Sequence, residues 1–491
     1  MGRSALPLLA LALALLALWQ AAGLVFRADP LNELRRADTL FAAARYHDAR
    51  LAYGAIVQRW PDFAPALVRL GIVYAVRDER EAADKALASA LGRGLSGRDY
   101  DLARLYQGRV AASTGQFDQA ARLWGAIEAG SPLFSLRRVL EAERFLSIAD
   151  YAGAEASYRA ALQVDLPRDW RALAYSRLAL LHAAGDPAAA RDELAQLDRL
   201  DRPAPTSSID WAAPLLPATI AEPRQLAEAL DAPSDRRVQL LGQIYLRAGL
   251  YALAESQFAA VAPDSPSALS AAAYAAYTRW SAGDRAEGLR RLRALVDAHP
   301  GEPRARALLA LAYLASRDEP GARAQLDAAR ALGPRAPDTY LAWGQWYAAQ
   351  HDYMAAAEEY QRALDAAPPE QRGVYALALA RFHIDTSFQL CEAGQPAAAE
   401  AASALPDDPR TWIALAATRM GCGDPAGARA AAEQAQRHSP GSAEASYYLG
   451  RALALLGERT AARSALIQAA DLAPASAWRE RAEAQIVALG L

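Results

Sequence analysis

Residues 340–368 read YLAWGQWYAAQHDYMAAAEEYQRALDAAP, and this stretch decides the fold. Its apolar residues recur every three or four positions, with Ala, Gln, Glu and Arg between them, so it reads as helix. Polar Gln350, His351 and Asp352 interrupt the pattern once. Pro368, which lacks an N–H and disfavours helix in the residue before it, closes the second run. Two helices of a dozen residues joined by so short a turn must pack antiparallel.

The same pattern repeats outward with a 34-residue period. Gly242, Ala276, Ala310 and Gly344 form one column, and Ala254, Gly288, Ala322 and Ala356 a second. Phe258, Leu292, Leu326 and Tyr360 form a third, and Pro266, Pro300, Pro334 and Pro368 a fourth. Proline is 28 of 491 residues, so three successive coincidences in that column have odds of roughly 2 in 10,000. Ala416/Gly450, Ala428/Ala462 and Pro440/Pro474 continue the offset. Small residues let two backbones approach closely, and the expectation is that the small positions of the two helices face each other. The bulky position then fills space against the neighbouring pair.

These residues resemble the tetratricopeptide repeat, W-x2-L-G-x2-Y…A-x3-F…P over 34 residues. Trp343, Gly344, Tyr347, Ala356, Tyr360, Ala363 and Pro368 are the clearest copy, and Leu241, Gly242, Tyr245, Ala254 and Phe258 another. Weaker copies reach back through Gly108, Ala120 and Trp124, and Leu67, Gly71 and Tyr74, to Ala37, Ala49, Tyr53 and Pro61. The expected fold is therefore all-α, an α-solenoid of about twelve helix-turn-helix units in two arrays. The expected organisation is a signal or transmembrane helix over 1–28 and a first array of about five repeats over 29–202. A Pro-rich joint over 203–234, a second array of about seven repeats over 235–474 and a capping helix over 475–491 complete it. The pair around His383 to Pro409, with a long first helix and a truncated second one, marks a bend.

At the N-terminus an apolar run from Ala5 to Phe26 follows Arg3. As a helix it measures about 33 Å, against a hydrocarbon core of about 30 Å. Its length, with Trp19 near the boundary, favours an uncleaved anchor, while Ala21-Ala22-Gly23 offers a signal-peptidase site. A single-pass anchor with an extracytoplasmic body is the expectation. A cytoplasmic-facing body, favoured by Arg27, Arg35, Arg36 and Arg45, and secretion after cleavage are the alternatives.

Lys plus Arg number 53 and Asp plus Glu 56, a net charge of −3 that gives no electrostatic reason to expect nucleic acid. Gly92-Arg93-Gly94-Leu95-Ser96-Gly97 matches a dinucleotide fingerprint in letters, but a helix rather than a strand precedes it, so it reads as a turn. The six histidines (47, 182, 299, 351, 383, 438) fall in different pairs and form no metal set. Adjacent carboxylates such as Glu358/Glu359 and Asp407/Asp408 read as solvated positions. No catalytic residue, cofactor or metal is expected. Cys391 and Cys422, the only cysteines, each fall near the end of the first helix of consecutive pairs and form a possible disulfide; two buried thiols are the alternative.

In tetratricopeptide arrays the first helices line a concave surface, and the resemblance implies a ligand groove along it. The inward positions here are Arg236, Gln239, Gln243 and Arg247, then Tyr277 and Trp280, then Arg304, Leu311 and Leu314. Leu341 and Gln345, then Arg410, Ile413 and Met420, then Tyr447 and Arg451 follow. With one Lys and one Asn in the chain, the Lys/Asn peptide clamps and Asn ladders of some family members are not expected. A peptide or helix held by side-chain packing, with Arg meeting carboxylates, is the expected ligand. The chain thus reads as a non-catalytic, membrane-tethered adaptor for other proteins, in envelope assembly or polysaccharide export. The alternative is the substrate-presenting partner of a separately encoded transferase or protease; self-association through an array end is a further expectation.

Overall fold

The computed structural model describes residues 29–43, 45–200, 210–217, 223–332, 336–439, 441–472 and 476–490. The apolar run over 5–26 lies outside them, and among the described residues no helix is long and apolar enough to cross a membrane. The described residues contain 26 α-helices and no strand. All but two of these helices, Pro223–Asp231 and Ala477–Ala488, fall into twelve consecutive pairs. The contacts divide the chain into two compact units, residues 1–107 and 108–491.

The first unit holds the pairs Pro30–Ala42 with Tyr46–Arg59 and Ala64–Val76 with Arg80–Leu91. Its core is built from Leu34, Phe41, Tyr53, Ile56, Leu67, Ile72 and Leu87. The Gly92–Gly97 segment joins the Arg80–Leu91 helix to the Gly97–Ser113 helix, with Gly94 at φ 71° and Gly97 at φ 60°. It is a helix-to-helix turn, and no strand feeds it.

In the second unit Phe134–Ser147 pairs with Tyr151–Leu162, and Arg168–His182 with Pro187–Asp198. The Pro-rich stretch then supplies a 3-10 turn, Ala213–Leu215, and the lone helix Pro223–Asp231. Trp211, Ala212 and Leu215 are buried there. Directly across this stretch, the buried Tyr245 hydroxyl donates to the Leu180 carbonyl at 2.8 Å. Seven pairs follow from Ser234–Arg247 onward.

The small columns pack differently from the expectation. A Cβ on Gly242 would lie 2.6 Å from Phe258, on Gly344 2.8 Å from Tyr360, and on Gly450 2.7 Å from Leu466. The first-helix glycine therefore receives the bulky residue of its partner helix, rather than the small one. The second small column backs onto the first helix elsewhere, since a Cβ on Gly288 would lie 2.6 Å from the Trp280 backbone nitrogen. The reason is geometric: antiparallel helices mesh a side chain into a gap, and two gaps facing each other would leave a void. The bulky residues also reach the next pair, with Phe258 stacked on Tyr274 and Tyr360 on Phe382 at ring-centroid distances of 5.2 and 5.0 Å.

Many turns inside a pair use one device: the second residue after the first helix is left-handed, as at Asp78, Gly115, Ala149, Gly249, Gly283, Arg317, His351, Gly423 and Gly457. An aspartate often follows as the cap of the second helix, as when Asp318 accepts from the Gly321 N–H at 3.0 Å and Asp352 from the Ala355 N–H at 3.1 Å.

The tenth pair is irregular. The Arg372–Thr386 helix ends in left-handed Ser387 and Gln389, a π-helical turn spans Leu390–Gly394, and the second helix is only Gln395–Ala404. Cys391 lies in that π turn, ahead of the second helix rather than in the first one, and forms a disulfide with Cys422, which caps Pro409–Gly421. The Ala477–Ala488 helix closes the last pair, with Ala482 buried and Trp478 5.5 Å from Tyr447.

Candidate functional site

The Ser234–Arg247 helix begins the seven-pair run, and the 3-10 turn Pro369–Gln371 leads into the pair four places later, yet side chains of the two meet. Arg236 forms an ion pair with Glu370. The Gln371 amide donates to Gln243 Oε1 at 2.5 Å, and the Gln225 amide to the Glu370 carbonyl at 3.3 Å. First helices thus face one another across the inside of a curve within the second unit.

Between these contacts the helices Ala268–Ser281, Pro303–Ala315 and Pro337–Ala349 enclose a pocket of about 810 Å³. Tyr277, Leu311, Leu314 and Leu341 give it apolar walls, and Gln345 and Arg317 a polar edge. The same helices carry the buried small residues Ala273, Ala276, Ala307, Ala310 and Ala342, which seat each helix closely against its neighbours.

A polar cluster anchors one wall. Asp338, in the first turn of Pro337–Ala349, is buried and accepts hydrogen bonds from the Tyr274 and Tyr375 hydroxyls, the latter at 2.7 Å. Arg304 Nε lies 3.0 Å from Asp338, and its Nη1 donates to Ser270 Oγ at 2.8 Å. Burial, and then the Asp338 charge, hold the Tyr274 and Tyr375 phenols well above the ordinary tyrosine range. The aspartate is fully engaged, so the cluster positions helices of four pairs and offers no spare base. Among the described residues no group of three or more His, Cys, Asp or Glu is arranged to hold a metal ion.

The expected groove residues separate into three kinds. Arg236, Gln243, Arg247, Tyr277, Arg304 and Gln345 lie on the inside of the curve or at the pocket. Gln239 is half-buried on the same helix, and Trp280 stacks on Tyr277 at 5.4 Å with its indole N–H buried. Arg410 is exposed but held by Asp408 in its own turn, Nη2 to Oδ2 2.5 Å. Tyr447 is the correction: it is buried against Tyr448 and Trp478, because the C-terminal helix covers the face that would otherwise be groove. Arg451 lies over the Tyr447 ring at 5.8 Å. Ile413 and Met420 are core.

Two bland readings also change. Glu359 is buried between Arg330 and Arg362, and Asp408 is buried beneath Arg410, whereas Glu358 is exposed as expected. His182 and His383, in the last turns of their helices, are buried as well. The His383 imidazole packs on Phe382 and its Nδ1 lies 2.5 Å from the Phe388 carbonyl oxygen. Asp338 and Tyr375 are the site residues that the column reading missed. Asp338 falls one period after Arg304, so opposite charges in one column were the available signal.

Residues 274–337 and 413–477 match the family model of the tetratricopeptide repeat. Those residues are tetratricopeptide repeats. Among solved tetratricopeptide structures, YrrB, described as having an unusual peptide-binding site, is 19% identical, covering 39% of this chain and 97% of its own, with a TM-score of 0.34. Pseudomonas aeruginosa pilF is 17% identical, covering 44% of this chain and 97% of its own, with a TM-score of 0.38. Yeast Tom70 is 12% identical, covering 94% and 95%, with a TM-score of 0.35. A search of curated proteins finds no match.

Proposed function

We propose that the chain is a non-catalytic scaffold that holds a segment of another protein inside the curve formed by the first helices of residues 234–386. The pocket of about 810 Å³ carries this reading, because it is aromatic and aliphatic, opens on the inner face and lies between three consecutive first helices. Exposed apolar walls of this kind on a water-facing surface are stabilised by a partner that covers them.

The second part of the proposal concerns place. The apolar run Ala5–Phe26 supports a tether at the membrane, and the Cys391–Cys422 disulfide supports a body on the oxidising side of it. Leu311→Arg puts a charge into the pocket wall at a half-buried position. A partner captured by the wild-type chain from its own membranes is expected to be lost with Leu311→Arg at unchanged helix content. Equal capture by both chains contradicts the reading.

A further inference from the structure

The Pro30–Ala42 helix, first of the first unit, treats its two kinds of charge differently. The carboxylates of the helix and its cap are all met from within the protein. Asp29, the cap, accepts from the Leu31 N–H at 3.0 Å, and Glu33 lies 3.3 Å from Arg59. Asp38 accepts from the Tyr53 hydroxyl at 2.7 Å, with Arg69 beside it. Arg35 and Arg36 are left over. Both are exposed, and among the described residues neither guanidinium makes an ion pair or a hydrogen bond. Leu31, one turn before Arg35, is 48% exposed. Leu31, Arg35 and Thr39 recur every four residues, so one exposed face carries a leucine followed by uncompensated positive charge.

What can meet that face follows from where the helix begins. Pro30 comes four residues after Phe26, the last residue of the apolar run, a reach of at most about 14 Å. With the run in the hydrocarbon core, the headgroup layer takes up about 5–8 Å of that reach. The helix then starts within about 6–9 Å of the outer edge of the headgroups, roughly one Debye length at physiological salt. A negative surface potential still acts at that distance, and each arginine held there gains from it. Turning the carboxylates to partners inside the protein and leaving the arginines unmatched therefore suits the helix to an anionic surface.

We propose that this face lies on an anionic phospholipid surface, with Arg35 and Arg36 on headgroup phosphates and Leu31 towards the acyl chains. The first helix pair is then laid against the bilayer rather than hanging from it. This rests on the reading of the Ala5–Phe26 run as a membrane tether. Two exposed arginines would gain little from free anions in water. The tether changes that, because it holds them beside phosphates at a high effective concentration.

The test is fluorescence of the full chain in lipid nanodiscs, with bimane on Thr39→Cys and a nitroxide quencher on the lipid headgroups. Cys391 and Cys422 are bonded to each other, so position 39 carries the label alone. Discs of phosphatidylcholine are compared with discs containing about one-third phosphatidylglycerol. Quenching is expected to be about twofold stronger in the anionic discs. It should fall to the neutral level at about 0.5 M salt, and equally in Arg35→Gln/Arg36→Gln, whose helix content should be unchanged. Equal quenching in both kinds of disc, or strong quenching that survives Arg35→Gln/Arg36→Gln, overturns the proposal. Alkaline carbonate extraction separates the two readings. A chain washed out of its membranes ends both, whereas a chain that resists extraction but shows equal quenching keeps its tether and loses the lipid-facing helix.

Discussion

Arg177 reaches back one repeat period to Glu143. Its Nε lies 2.8 Å from Glu143 Oε1, and the Tyr158 hydroxyl donates to that same oxygen at 2.5 Å. Arg177 is 1% exposed, so the pair ties the first helices of two successive repeats through the interior. The first unit contains the same set: Tyr53 donates to Asp38 at 2.7 Å, and Arg69 Nε lies 3.8 Å from Asp38. Because the guanidinium has left water, its carboxylate is indispensable. Glu143→Gln is expected to destabilise the chain by about 3 kcal/mol, while Glu143→Leu combined with Arg177→Met costs much less. Urea melts of the single and double variants measure the difference.

Ala149 makes the opposite case. It occupies the left-handed position that Gly115 fills one period earlier, at φ 59°, and its side chain is exposed. An L-residue there costs about 1–2 kcal/mol, against about 0.5–1 kcal/mol of extra chain entropy for glycine. Ala149→Gly is therefore expected to stabilise by about 0.5–1 kcal/mol, read as a higher urea midpoint with an unchanged slope.

His383 and His438 give the fold a pH dependence. Burial lowers both imidazole pKa values below the ordinary 6.5, more than the Phe388 carbonyl or the nearby aspartates raise them. A histidine kept neutral in the native state stabilises fully above the unfolded pKa. That stability is lost as pH falls from about 6.5 through the lowered native value. Stability is expected to drop between pH 7 and 5, and less steeply in His383→Gln. A slope unchanged by the substitution, measured by urea melts at each pH, contradicts this origin.

The Cys391–Cys422 bond closes a loop of sequence separation 31 across the irregular tenth pair. Left-handed Ser387 and Gln389 and the π turn leave this segment with fewer regular helix bonds than its neighbours. Reduction is expected to cost about 3 kcal/mol, since the disulfide limits the unfolded chain. The melting temperature should fall in dithiothreitol for the wild type and be indifferent to it in Cys391→Ser/Cys422→Ser.

The fold was legible because close packing repeats. Gly344, Ala356, Tyr360 and Pro368 are each required by helix contact or helix ending, so they return every 34 residues. The pairing within that pattern was not legible: Gly242 meets Phe258 and not Ala254, since a column shows that a position is small and not what fills it. The site was partly legible. Tyr277, Arg304 and Gln345 follow from helix phase, but Tyr274 meets Asp338 two pairs later, a contact set by how successive pairs rotate, which no single repeat encodes. Tyr447 misled for a similar reason, since its phase is that of groove and only the C-terminal helix makes it core.

The central claim is that the inner face of residues 234–386 is the working surface. Photocrosslinking from single positions in native membranes tests it most directly, with benzoylphenylalanine replacing Gln345 at the pocket or exposed Gln361 on the second helix of the same pair. The account predicts a discrete protein adduct from position 345, lost with Leu311→Arg, and none from position 361. Adducts from 361 alone, or an adduct at 345 indifferent to Leu311→Arg, would contradict it.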